Sequence, residues 1–263
     1  MLTRLIAVLS SLLLCQPLAA EVITVELNYR HGDTEMRGML AYDDATTEPR
    51  PGILVVHEWW GQNEYPRDRA RQLAALGYTA LAVDMYGDGQ TTGHPDEAGK
   101  FASAVGGNLP LAKARFEAAL AALREQSTVA PDKIAAIGYC FGGGVVLNMA
   151  RLGTDIDGVV SYHGSLGASD PAEEGDITTK VLVFNGAADP LVTTEQIDAF
   201  KREMDAAGAD YTFINYPGAV HGFTNPGADA KGEAFQLPLA YDSKADSDSW
   251  EKTQAFFDEI FSN

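Results

Sequence analysis

Positive charge is scarce in this chain: 19 Lys and Arg stand against 37 Asp and Glu in 263 residues, a formal net charge of −18. No basic stripe exists that could neutralise a phosphate backbone, which excludes nucleic acid and anionic membrane as partners. Cysteine is scarcer still, with only Cys15 and Cys140. Long apolar runs are missing after the first twenty residues, and so are internal repeats, low-complexity tracts and Pro- or Ser-rich linkers. The whole chain is 46% hydrophobic, enough to bury a large core and to exclude disorder as the main state.

In residues 1–20, Arg4 precedes an apolar run from Leu5 to Leu14, and Ala19 and Ala20 precede Glu21. That is the pattern of a secretory signal peptide. The run is too short for a bilayer of roughly 30 Å, which takes about 20 apolar residues. A lipid anchor at Cys15 is the weaker alternative, because Leu14 stands where lipidation motifs carry a small residue. The expectation is a periplasmic or secreted mature chain of residues 21–263, with 18 basic and 37 acidic side chains and a charge of −19. Its single cysteine, Cys140, is then either an inert buried hydrophobe or a nucleophile.

The alternating pattern from Val22 to Tyr42, broken at His31-Gly32-Asp33, predicts an antiparallel hairpin with one face covered. Then come short, nearly continuous apolar runs: Gly52–His57, Tyr78–Asp84, Lys133–Tyr139, Gly158–Tyr162 and Lys180–Phe184. Such runs suit strands buried on both faces. Segments of helical period lie between and after them, at Arg67–Leu76, Leu111–Gln126, Gly142–Leu152, Thr194–Ala207 and Ser249–Phe261. This alternation predicts one α/β domain over residues 21–263: a mostly parallel sheet, helices on both faces, and loops 85–110 and 222–248 at a pocket mouth.

Chemistry concentrates at three places. Gly138-Tyr-Cys140-Phe-Gly142-Gly-Gly144 joins an apolar run to a helix, the setting of a sharp strand-to-helix turn that projects its central side chain over the sheet edge. A thiol at a helix N-terminus is favoured as thiolate. Asp189, in Gly186-Ala-Ala-Asp-Pro190, follows the strand ending at Phe184, and His221 follows the run Tyr211–Tyr216. Nucleophile, acid and histidine in that order are the parts of a catalytic triad, each at the strand edge where open α/β sheets gather their ligands. Of the other histidines, His31 and His94 read as solvated and His163 as a packing or pocket residue. His57-Glu58 has no second pair at ligand spacing, so no metal site is expected.

At these residues the sequence resembles the dienelactone hydrolase family of the α/β-hydrolase superfamily, over essentially all of residues 21–263. The Gly-Tyr-Cys-Phe-Gly-Gly elbow, the Gly-x-x-Asp-Pro loop and the Pro-x-x-x-His-Gly-Phe loop carry the likeness. The resemblance implies an α/β-hydrolase fold with Cys140, Asp189 and His221 as the triad. It also implies that Glu58 contacts the resting thiol and helps switch it to thiolate, and that the backbone amides of Trp59 and Phe141 form the oxyanion hole. The two arginines with which better-known members hold a substrate carboxylate have no counterpart in Asp84-Met-Tyr-Gly-Asp88 or Gly222-Phe-Thr-Asn-Pro226.

The expected function is therefore hydrolysis of neutral esters or lactones by a monomer that needs no cofactor, through an acyl-enzyme. Arg67, Arg69 and Arg71 are read as a solvated helix face, and are the residues to watch for a missed anion clamp. Two rivals stand beside this reading: an acyltransferase using the same intermediate, distinguished by products formed with added alcohol, and a non-catalytic envelope binding module.

Overall fold

The strands follow from where apolar residues fall. In the computed structural model, which describes residues 21–262, the opening hairpin is β1 (Val22–His31) and β2 (Thr34–Asp43), paired antiparallel and joined at Gly32-Asp33. β3 (Arg50–Val56), β4 (Thr79–Val83), β5 (Val129–Tyr139), β6 (Gly158–Tyr162), β7 (Lys180–Gly186) and β8 (Tyr211–Tyr216) then add in parallel. β2 runs antiparallel to β4, giving one eight-stranded sheet in the order β1-β2-β4-β3-β5-β6-β7-β8. The expected α/β-hydrolase architecture is thus the one observed. The proposed signal segment lies outside the described residues, and within them no helix is long and apolar enough to cross a membrane.

The continuous apolar runs are explained by alternation within them. Leu54 and Val56 of β3 join one buried layer with Leu81, Val83, Ala136 and Val183. Their neighbours Ile53 and Val55 join the opposite layer with Ala80, Ala82, Ile137 and Phe184. The first layer is covered by α3 (Leu109–Arg124), α4 (Phe141–Arg151) and α5 (Thr194–Ala207), the second by α1 (Glu64–Ala75) and α7 (Ser243–Phe261). Each fully buried large side chain contributes about 1.5–3 kcal/mol, so both layers hold the strand tips rigidly.

The two long loops need correction. Residues 85–110 contain α2 (Pro95–Gly106), started by His94, whose ring nitrogen accepts from Asp96 N at 3.3 Å. Residues 222–248 contain α6 (Ala228–Phe235) and the first turn of α7. Neither α2 nor α6 carries a long apolar stripe, because each buries only two residues. Ala102 of α2 and Leu237–Leu239, which follow α6, line the pocket, as expected of those segments.

Candidate active site

The elbow is built by glycines that let backbones approach too closely for a side chain. A Cβ on Gly138 would lie 2.1 Å from Gly142 O, and one on Gly142 would lie 2.4 Å from Val56 O. Cys140 itself sits at φ 53°, ψ −113°, outside the ordinary regions for a non-glycine residue. The strained backbone is held by hydrogen bonds from Cys140 N to Tyr162 O at 3.0 Å and from Gly142 N to His57 O at 3.1 Å. The thiol projects, half-buried, from the junction of β5 and α4.

Two further strand ends deliver Asp189 and His221. Asp189, just past β7, is buried and accepts from His221 Nδ1 at 2.8 Å and from Leu191 N at 2.8 Å. With Nδ1 tied to the carboxylate, Nε2 is left for Cys140, which lines the same cavity as His221. Burial works against the imidazolium here, but the neighbouring Cys140 sulfur and the bonded Asp189 carboxylate outweigh it and push the His221 pKa up to about 10. The three sequence-predicted residues are thus brought together, and the geometry can hold a thiolate–imidazolium pair.

Glu58 lies beside this group but not on it in the expected way. Its Oε2 accepts from Asn225 Nδ2 at 2.7 Å, and burial raises its pKa. The contact with the Cys140 thiol that the resemblance implies is not among the hydrogen bonds of the described residues. Trp59 N–H makes no hydrogen bond among the described residues, and Phe141 is the first residue of α4, where N–H groups lack intrahelical partners. Both can therefore face an oxyanion. The Trp59 carbonyl is meanwhile fixed by Tyr86 OH at 3.0 Å.

An apolar cavity of about 420 Å³ opens on the thiol, lined by Trp59, Phe141, Val192 and His221, with Leu191 and Leu237–Leu239 among the remaining walls. No charged side chain lines it apart from His221. Ala102 of α2 closes one side.

The arginines read as a solvated face divide. Arg67 bonds Gln62 Oε1 at 2.8 Å, and Arg71 pairs with Glu64 and Asp68 at the surface. Arg69 is instead buried, donating to Thr224 O at 2.7 Å and pairing with Asp246 of α7, with Trp250 5.1 Å from its guanidinium. A carboxylate on α7 that pairs with it after burial is invisible in the local helix pattern. None of the three lines the cavity.

Three residues near the site gave no decisive local signal. His163 is fully buried, its Nδ1 accepts from Cys140 N at 3.2 Å, and its Nε2 lies 2.9 Å from Thr224 Oγ1. It thereby spans the elbow and the histidine loop, and burial keeps its ring neutral. Asn225 and Lys231 come from the segment after His221, and Lys231 Nζ stands 3.7 Å from the Trp60 ring centroid. Only a paired position relative to Glu58, unknowable without the fold, would have marked them. His57, by contrast, is consumed by structure: Nδ1 donates to Glu58 O and Nε2 accepts from Met85 N.

Comparison with known proteins places these features in context. The profile of the dienelactone hydrolase family matches residues 36–261. The structure of a dienelactone hydrolase-like promiscuous phosphotriesterase, P91 from metagenomic libraries, is 36% identical with a TM-score of 0.86, covering 91% of this chain and 98% of that one. The structure named m3DLH is 38% identical, also at 0.86, covering 91% and 99%. A Methylorubrum extorquens protein bearing a provisional carboxymethylenebutenolidase name is 28% identical over 219 residues, 80% of this chain and 72% of its own length.

Proposed function

Because this chain belongs to the dienelactone hydrolase family and is a hydrolase of that kind, we propose that it cleaves neutral ester or lactone bonds through a Cys140–His221–Asp189 triad and an acyl-enzyme. The observation that carries this reading is the convergence of a strained, projecting thiol and an imidazole on one apolar cavity, with a buried carboxylate bonded behind the imidazole. The Cys140 thiolate attacks the carbonyl carbon, and the amides of Trp59 and Phe141 receive the oxyanion. Losing one such donor typically costs about 10²–10³ in rate. His221 protonates the leaving alkoxide and then, as a neutral base, activates water, while Asp189 holds its tautomer. Glu58, whose pKa burial raises, stands beside the pair with its carboxyl bonded to Asn225. The signal-like segment 1–20 supports an exported enzyme.

A carboxylate in the cavity would find no cation beyond the His221 imidazolium, which Asp189 already engages, and an unpaired anion in a desolvated site costs about 2–5 kcal/mol. A neutral phosphotriester is a second class the same walls would take, favoured by their lack of charge and by the name of the P91 relative. The test is a panel of matched neutral and anionic p-nitrophenyl esters and small lactones, on the wild type and Cys140→Ala. Neutral substrates should be faster by more than about tenfold in kcat/KM, and a preference for anionic lactones would overturn the proposal.

A further inference from the structure

Cys140 and His221 stand in a partition between two spaces. On one side is the 420 Å³ apolar cavity. On the other is a small recess, with about 10 Å³ for the centre of a water molecule, lined by Glu58, Trp60, Cys140, His221, Asn225 and Lys231. One water needs roughly 10–15 Å³ of such space and two to four polar partners. Those partners are present in the Glu58 carboxyl, the His221 imidazole and the Lys231 ammonium. Glu58 Oε1 makes no hydrogen bond among the described residues, since Asn225 engages Oε2. The remaining walls are tight: Ala228 and Leu239 close the recess, and residue 239 is bridged to His221 itself.

We infer that this recess seats the hydrolytic water, so that acyl group and water approach the reacting carbon from opposite sides of the partition. The inference rests on the acyl-enzyme reading above. In the thioester, Cys140 Sγ carries the acyl carbon. The water oxygen adds to that carbon, one water proton passes to His221 Nε2, and the carbonyl electron pair moves onto its oxygen. On collapse the C–S bond breaks, the acid departs with the water's OH, and thiolate again faces imidazolium. A space for one water, with no room for a larger alcohol, makes the intermediate's fate hydrolysis rather than acyl transfer.

Burst kinetics with p-nitrophenyl butyrate on the whole protein, with and without 1-propanol, test this. Ala228→Val narrows the recess, and Lys231→Met removes a bonding partner from its outer side without entering the core. Each should slow the steady-state phase about fivefold or more, the equivalent of one lost hydrogen bond, expose a one-equivalent burst, and leave the acyl-enzyme long enough for 1-propanol entering through the apolar cavity to form propyl butyrate. Leu191→Ala, in the cavity wall, should alter acyl-length preference and leave the ratio of the two phases alone. Should the valine variant fail to fold, the methionine variant still decides. An unchanged ratio in the recess variants that fold overturns the water site, as does propyl ester formation by the wild type at the variants' level. Undiminished release by Cys140→Ala, or none by the wild type, overturns the acyl-enzyme reading instead and the water site with it.

Discussion

At Cys140 the backbone is as unusual as the side chain, since a positive φ on a β-carbon-bearing residue survives only where its surroundings impose it. The thiol is thereby aimed before any substrate arrives. Cys140→Ala and His221→Ala should each lower kcat/KM by about 10⁴ or more, with the double variant little worse than either, because the pair acts as a unit. Steady-state kinetics of the three variants check this. His221 makes a second prediction. With its pKa raised to about 10 by its neighbours, it should favour attack by Cys140, so His221→Ala should slow iodoacetamide alkylation of Cys140 at neutral pH. The alkylation profile of the two proteins decides it. For Glu58, raised by burial and bonded to Asn225, Glu58→Gln should preserve affinity for a neutral ester while changing the pH dependence of kcat, measured as a KM-against-kcat split.

Between β5 and α4 the chain turns within a space that admits no extra atoms. Gly142→Ala, whose Cβ would press on Val56 O at 2.4 Å, should destabilise the fold by about 1–3 kcal/mol. Gly144→Ala, two residues further, meets only Ser165, at 3.4 Å and beyond, and should be neutral or slightly stabilising, since alanine suits a helix better by about 1 kcal/mol. Thermal melts of the two variants separate these outcomes. The elbow was readable in the sequence because such crowding demands glycine, and the strands because burial on both faces demands unbroken apolar runs. Asp189 and His221 were readable because each follows a strand directly. α2 and α6 were not, since helices that bury two residues apiece leave no periodic stripe. Arg69, Asn225 and Lys231 were hidden for another reason: their partners, Asp246, Glu58 and Trp60, lie far away in sequence.

Across the whole molecule, two histidines are buried without charge, which sets its response to acid. His57 is lowered to about 4 and His163 in the same direction, both by burial. Their unfolded counterparts take up protons near pH 6.5. The contribution of these two histidines should therefore be complete above that value and be lost as pH falls through it, with His57's share no longer lost below about pH 4. For His57 alone the loss amounts to about 3 kcal/mol. Denaturant melts of the wild type over this range check the sign, which is opposite to that of a paired imidazolium such as His221, whose contribution is complete below about 6.5 and vanishes as pH rises through about 10. Cys140 is also the one thiol among the described residues. Were peroxide to convert it to a sulfenic acid, no neighbouring cysteine could capture that species as a disulfide, so the oxidation would run on to sulfinic acid unless an external reductant intervened.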